Sequence, residues 1–181
     1  MPANLSRRSF LAVTAAAVVL TGVGLSTPAF AQPAADQPIR NAGEYHLPKK
    51  DNLAIKGYDP VAYFPEFGGK ATKGKSSIEA THRGVRYRFA NTKNRDAFLA
   101  NPVRYEPAYG GWCAWAMKDG DKTKIDPKTF IVRDNRLFLF YNGFLGNTRS
   151  SWVKEDHAAQ ARQSDASWKR LSGEEPRRAA G

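Results

Sequence analysis

The single cysteine of this sequence, Cys113, is the side chain best suited to chemistry. A thiolate acts both as a nucleophile and as a soft metal ligand. Met117 follows four residues later, so in a helix its thioether would share a face with the thiol. His82 ends a segment of alternating polar and apolar residues and supplies an imidazole. A thiolate, a thioether and an imidazole together form a ligand set suited to copper(I).

The same residues also have structural interpretations, which the sequence leaves open. A free cysteine is commonly buried as a small apolar side chain, and methionine commonly fills gaps in a core. A histidine at the end of a strand can instead close a hairpin through a hydrogen bond. If Cys113 is reactive, it either holds a metal ion, copper first and then zinc, or cycles as a redox thiol through a sulfenic acid. His46 and His157 are predicted to lie at the surface.

Three aromatic residues near the cysteine, Tyr109, Trp112 and Trp115, are candidates for lining a pocket for a small ligand. A plain aromatic core is the alternative. Asp59 and Asp126 each precede a proline, which favours turn-building roles for both carboxylates. The sequence has no Ser-His-Asp order, phosphate loop, dinucleotide fingerprint or His-Glu-x-x-His motif. Whether the protein is an enzyme is therefore left open.

The composition predicts one globular domain. The chain has 181 residues, of which 41% are hydrophobic, 25% are charged and 12% are aromatic, enough apolar bulk for a packed core. A lone cysteine excludes an internal disulfide and zinc sites built from several cysteines. The net charge of +11 is typical of proteins that bind nucleic acid or another anionic partner.

The N-terminal 31 residues change the meaning of that charge. Arg7 and Arg8 precede an apolar stretch, Leu11 to Leu25, that is shorter than a membrane span, and Ala29-Phe30-Ala31 follows as a cleavage site. This order resembles a twin-arginine signal and predicts a periplasmic protein cleaved after Ala31. Removing both arginines lowers the net charge of +11 by two, to +9. Export argues against a nucleic-acid partner and favours a solvated basic face with some affinity for anionic membrane surfaces.

The remaining elements predict an α+β fold: a small antiparallel sheet of hairpins packed with short helices and a C-terminal helix. Residues 32–52 are expected to be a loose leader, residues 53–171 the folded domain and residues 172–181 a disordered tail. Period-two alternation and turn residues predict two hairpins, and capping residues predict the helices. The predicted hairpins pair Ser77–His82 with Val85–Phe89 and Thr129–Val132 with Leu137–Tyr141, and the predicted helices begin near Asn91, Val103, Trp112 and Asn147, the last continuing to Leu171.

Distinctive motifs extend from about Ile55 to Trp168. They are Gly57-Tyr58-Asp59-Pro60-Val61-Ala62-Tyr63-Phe64, Thr81-His82, Asn94-Arg95-Asp96-Ala97-Phe98, Tyr105-x-Pro107-x-Tyr109-Gly110-Gly111-Trp112-Cys113-Ala114-Trp115-Ala116, Lys124-Ile125-Asp126-Pro127 and Leu137-x-Leu139-x-Tyr141-Asn142. Together they resemble the exported, single-domain YHS-domain proteins of bacteria. Related YHS domains occur beside metal-transport ATPases and oxygenases and are often described as metal-binding, many of them through a cysteine pair. In some exported relatives selenocysteine stands at the position of Cys113, which implies a reactive chalcogen there.

These observations lead to one expectation with two alternatives. We expect a periplasmic YHS-type binding module that holds a soft metal ion, copper first, through Cys113 with His82 and Met117. The alternatives are a thiol-dependent redox protein that uses Cys113 and a non-catalytic domain that binds a partner. A metal ion or small ligand is the expected partner, without nucleic acid and without a membrane span, and the sequence leaves the oligomeric state open.

Overall fold

The computed structural model describes residues 42–177. The predicted signal segment 1–31, residues 32–41 of the predicted leader and residues 178–181 lie outside this range. Within residues 42–177 the architecture is α+β, as predicted, with three two-stranded antiparallel sheets and five α-helices. The elements are β1 (Lys75–His82), β2 (Val85–Phe89), α1 (Thr92–Ala100), α2 (Pro102–Tyr105), α3 (Ala114–Met117), β3 (Asp126–Arg133), β4 (Arg136–Phe140), β5 (Asn142–Gly143), β6 (Gly146–Asn147), α4 (Thr148–Trp152) and α5 (His157–Ser172).

The two long hairpins are confirmed, and each turns through two residues with positive φ. Arg83 and Gly84 join β1 to β2 with φ of 50° and 80°. Asp134 and Asn135 join β3 to β4 with φ of 52° and 54°. Two successive left-handed residues match the right-handed twist of the flanking strands, so these short connections fix the strand registers.

The strands differ in how far they are covered. In β2 buried residues alternate with half-buried ones, which is typical of a strand with one face on the core. All five residues of β4 are buried, so this strand is covered on both faces. β4 also contacts the segment that contains Cys113, because its residue Leu139 forms a β-bridge with Cys113.

The helices begin where capping residues predict. The Asn91 side chain accepts a hydrogen bond from the backbone N–H of Asn94 at 2.9 Å and starts α1. The predicted continuous helix from Asn147 to Leu171 is wrong: α4 ends at Trp152 and α5 begins at His157. Asp156 causes this division, since its carboxylate accepts from the backbone N–H of Ala159 at 2.6 Å and provides α5 with its own N-cap.

A third, very short hairpin was not predicted from the sequence. β5 and β6 pair antiparallel, with Phe144 and Leu145 between them at the tip. Gly146 has a φ of 104°, a backbone conformation that residues with a Cβ rarely adopt. At Gly143 a Cβ would lie 2.5 Å from the hydroxyl of Tyr141, so only glycine allows this close approach.

The core is one aromatic-rich cluster that includes residues from both hairpins and from α5. Its largest fully buried members include Trp152, Trp168, Phe138 and Phe140. Burying a side chain of this size stabilises the folded state by about 1.5–3 kcal/mol relative to exposure. The core therefore contains Trp152 of α4 and Trp168 of α5.

The packed unit extends beyond residues 53–171 at both ends. Arg177 is buried and donates from Nε to Glu106 at 2.8 Å and from Nη1 to Glu174 at 3.0 Å. The hydroxyl of Tyr45 bonds to Glu174 and accepts from Arg177, while Tyr87 donates to Glu106 at 2.9 Å. Buried charges need such partners to offset desolvation. The network ties the chain before β1 to the chain after α5.

Asp59 builds a turn, as its position before a proline predicts. The side chain is fully buried, and its Oδ1 accepts from the backbone N–H of Val61 at 2.9 Å. Its Oδ2 accepts from Ala90 N at 2.8 Å and from Asn94 Nδ2 at 2.7 Å. The carboxylate thus joins the segment before β1 to the start of α1, and its role is structural.

Candidate functional site

Cys113 lies at the N-terminal boundary of α3, against the covered strand β4. Its side chain is fully buried. Its backbone N–H donates to Thr123 O at 3.0 Å, and its carbonyl accepts from Met117 N at 3.0 Å. The paired glycines Gly110 and Gly111, with φ of 57° and 89°, turn the chain into this position. A Cβ on Gly110 would lie 2.7 Å from the Trp168 ring, so this approach requires glycine.

Two polar groups surround the sulfur of Cys113. Its Sγ lies 3.3 Å from Thr148 Oγ1, and the backbone N–H of Tyr141 points at it from 3.4 Å. The Thr148 hydroxyl donates its one proton to Tyr141 O at 3.1 Å. With its proton placed there, Thr148 Oγ1 accepts from the thiol and also from the backbone N–H of Tyr141 at 3.1 Å, a donor that the sulfur shares. The S–H of Cys113 has an acceptor, and the sulfur itself accepts from a backbone N–H.

The residues of the predicted ligand set belong to two elements of the fold. Met117 is one helical turn from Cys113, and both side chains are fully buried in the same core cluster. His82 ends β1, with its ring 6.3 Å from the ring of Phe98 in an edge-to-face arrangement.

The surroundings of His82 favour the neutral imidazole. Burial lowers the pKa of His82, and the nearby Arg83 and Arg177 lower it further, while Glu106 acts in the opposite direction. Its Nε2 is buried without a hydrogen-bond partner. Over residues 42–177 no group of three or more His, Cys, Asp or Glu side chains is arranged to hold a metal ion. A zinc site with three or four protein ligands therefore does not fit the described residues.

The three aromatic residues predicted to line a pocket contact protein groups. Tyr109 is buried and donates to Asp165 Oδ1 at 2.9 Å. Trp112 is half-buried and donates from Nε1 to Glu44 O. Trp115 is also half-buried, and the ammonium of Lys118 lies 3.3 Å from its ring centre. These contacts explain the aromatic residues as packing and cation–π partners.

The prediction that His46 and His157 lie at the surface is wrong. His46 is half-buried and stacks on Trp112 with ring centres 4.5 Å apart. His157 is 6% exposed and accepts from Trp152 Nε1 at 2.9 Å. Burial lowers the pKa of both imidazoles. Asp134 lies 3.6 Å from His157 Nε2 but is 72% exposed, so solvent screens its charge and the imidazole stays neutral.

An open groove lies beside β3. It has a volume of about 490 Å³ and is lined by residues 128–132 together with Asn147 and Arg149. Within residues 42–177 β3 pairs only with β4, so its other edge carries no strand. Arg149 Nε donates to Phe130 O at 3.0 Å across this groove. Apolar side chains of β3 and two basic side chains, Lys128 and Arg149, thus share one surface.

The two cations of the groove form no salt bridge within the described residues, although the charge of Lys128 acts on Asp126. Among residues 42–177 no carboxylate lies within 4.0 Å of the Lys128 or Arg149 side-chain nitrogens. The carboxylate of Asp126 accepts from Lys128 N at 3.0 Å, Thr129 Oγ1 at 3.1 Å and Asn142 Nδ2 at 3.3 Å. Burial alone would raise the pKa of Asp126, but these hydrogen bonds and the positive charge of Lys128 outweigh burial and lower it. Asp126 builds a turn, as predicted.

The tip of the β5–β6 hairpin projects beside the groove. Phe144 is 101% exposed and Leu145 is 85% exposed. Asn147 belongs both to β6 and to the groove lining, so the two features are continuous. None of the helices formed by residues 42–177 combines the length and the hydrophobicity needed to span a bilayer.

Sequence reasoning missed the groove and the tip, although a signal for the tip was present. Asn142-Gly143 and Gly146-Asn147 are turn-forming pairs that flank two large apolar residues. Comparisons of the chain with protein-family models, with curated proteins and with solved structures find no match. The function is therefore inferred from the residues of this chain and their contacts.

Proposed function

We propose that this protein is an exported YHS-type binding module. Its ligand is an anionic amphiphile, which binds in the groove beside β3. The observation that carries the proposal is the presence, in one open groove of about 490 Å³, of apolar residues of β3 and of two cations, Lys128 and Arg149, that form no salt bridge within residues 42–177. A phosphate or sulfate group would bind Lys128 and Arg149, and a hydrocarbon segment would pack on the apolar residues of β3 that line the groove. The motif resemblance and the N-terminal arginine pair support the family and the export route.

The neighbourhood of Cys113 supports a structural role for the thiol in this proposal. The sulfur is fully buried, and both its proton and its lone pair have partners. Reaction with a substrate would first require removal of β4 or α4 from the sulfur. The groove requires no such rearrangement before it binds a ligand.

Isothermal titration with hexyl phosphate, which combines an anionic head and a short chain, tests the groove. Replacing both cations, Lys128→Glu with Arg149→Glu, should weaken binding by at least about tenfold, since each lost charge-assisted hydrogen bond becomes a repulsion. Lys49→Glu with Lys50→Glu makes the same change in net charge on two exposed lysines away from the groove. Equal weakening in both double variants would reduce the effect to net charge and overturn the proposal.

A second candidate function is a soft-metal site at Cys113 and Met117. Its support is the placement of a thiol and a thioether one helical turn apart, because copper(I) accepts two soft ligands. His82, the third residue of the predicted set, packs against Phe98 at the end of β1. Copper titration of the Cys113→Ser variant against the native chain tests this candidate, and undiminished affinity in the variant would sink it.

The thiol-redox candidate is supported by the backbone N–H of Tyr141 directed at the sulfur. Such a donor stabilises a thiolate or a sulfenate. The measurement is the rate of alkylation against pH. A thiol that reacts only as fast as the protein unfolds argues for packing, whereas rapid alkylation of the native protein near neutral pH would favour redox chemistry.

A further inference from the structure

Phe144 and Leu145 are exposed at positions where the local structure does not require apolar residues. Tight turns favour Gly, Asn, Asp, Pro and Ser, for reasons of backbone conformation and local hydrogen bonding. Here Gly146, with a φ of 104°, already supplies the backbone conformation that the hairpin requires. Two adjacent large apolar side chains, 101% and 85% exposed, are thus left for contact with something outside the chain.

The tip is held in a defined position. Leu145 N donates to the Tyr141 hydroxyl at 3.3 Å, and Thr148 N donates to Tyr141 O at 3.0 Å at the base of the hairpin. Thr148 is in turn fixed by its contact with the buried sulfur of Cys113. The core thus anchors the base of the hairpin that carries the apolar pair.

Positive charge lies at the foot of this tip. Lys128 and Arg149 line the groove that Asn147 shares with the hairpin, and no acidic side chain lines that groove. The whole chain has 28 Lys and Arg against 17 Asp and Glu. Anionic lipid surfaces attract clustered Lys and Arg, and apolar side chains, aromatic ones included, insert into the boundary between headgroups and acyl chains.

We propose that Phe144 and Leu145 insert into the surface of a membrane containing anionic lipid while Lys128 and Arg149 contact its phosphate groups. This inference rests on the proposed function, because it identifies the anionic amphiphile of the groove as a lipid within a bilayer. A convex apolar tip favours a membrane over a protein partner, since a protein would have to provide a matching pocket whereas a bilayer accommodates any projecting apolar pair.

Vesicle co-sedimentation of the predicted mature chain, residues 32–181, tests the inference. The vesicles contain phosphatidylcholine alone or phosphatidylcholine with phosphatidylglycerol, at low and at high salt. The native protein should bind the anionic vesicles and detach at high salt. Phe144→Ser with Leu145→Ser should weaken vesicle binding by about tenfold to a hundredfold, because both side chains lose their transfer into the interface. Both side chains are exposed, so these substitutions leave the fold intact.

The matched control replaces two exposed apolar residues of the helical region, Leu99→Ser with Val103→Ser, each 39% exposed. This control should bind vesicles like the native chain. Vesicle binding that is absent in the native protein, or undiminished in the Phe144 and Leu145 variant, overturns the inference. Hexyl phosphate titration of the same variant separates the two claims: retained affinity upholds the groove, whereas the Lys128 and Arg149 variant decides the proposed function independently.

Discussion

The sulfur of Cys113 and the tip of the β5–β6 hairpin are connected through two shared residues, yet their environments are opposite. Tyr141 and Thr148 both contact the sulfur and form the base of the hairpin. At the sulfur every polar partner is satisfied and solvent is excluded. At the tip two apolar side chains face solvent beside a groove with two cations that form no salt bridge within residues 42–177. The chemically rarest residue is thus packed, whereas ordinary residues are left available for binding.

The largest effect that can separate the two regions is expected at Met117, on the closed side. Met117→Ala should lower the free energy of unfolding by about 2–5 kcal/mol, because it opens a cavity beside Cys113. Met117→Leu keeps the volume and should cost less than about 1.5 kcal/mol, although it removes the thioether. Urea unfolding measures both. A Leu variant that is as unstable as the Ala variant would contradict a packing role and favour a need for the sulfur atom.

A medium effect is expected at Thr148, which belongs to both regions. Thr148→Val removes the hydroxyl that bonds to Tyr141 and to the thiol, and should lower the free energy of unfolding by about 1–3 kcal/mol. Thr148→Ser keeps the hydroxyl and serves as the control. The alkylation rate of Cys113 should rise in the Val variant, since the hairpin base loosens over the sulfur. Unchanged stability and alkylation would show that the hydroxyl does not hold the site closed.

A smaller effect is expected from pH and is confined to the packed interior. Burial lowers the folded-state pKa of His46, His82 and His157 below the ordinary value of 6.5. The unfolded chain therefore binds more protons as the pH falls, so stability is full above about 6.5 and decreases below it. Thermal unfolding between about pH 7.5 and pH 5 should show a falling Tm, flattened in His157→Gln. A Tm that rises toward pH 5 would contradict neutral, buried imidazoles.

Asp126 allows this histidine effect to be separated from the titration of carboxylates. Hydrogen bonds lower the pKa of Asp126 below its ordinary value of 3.8. Its contribution to stability is therefore present above that value and is lost only as the pH falls through the lowered pKa. A decline in Tm that begins between neutral pH and pH 5 is consequently assigned to the histidines.

The sequence was sufficient for the two long hairpins and for α1 because their signals are local. Alternation fixed β2, two-residue turns fixed both long hairpins, and Asn91 fixed the start of α1. The division of the last helix depended on Asp156, whose capping role competes with helix propensity and is settled only by packing. Local patterns gave α3 its position but not the burial of Cys113, because burial depends on β4 and α4 from distant parts of the chain.

The candidate site was harder to predict for the same reason. The groove lies along the edge of β3 that carries no second strand among residues 42–177, and which edge stays open is a property of the whole fold. His82 and Cys113 belong to motifs of one resemblance but contact different groups, because separate hairpins hold them. The exposed pair Phe144 and Leu145 had a readable signal in the flanking Asn-Gly and Gly-Asn pairs.

A side-by-side titration of two variants with hexyl phosphate shows whether the groove beside β3 or the buried Cys113 binds the ligand. Cys113→Ala removes the buried sulfur, and Lys128→Glu with Arg149→Glu reverses the charge of the groove. If the ligand binds in the groove, the Cys113 variant binds hexyl phosphate like the native protein, while the groove variant loses at least about tenfold in affinity. Loss of binding in the Cys113 variant, with the groove variant unaffected, would contradict binding in the groove.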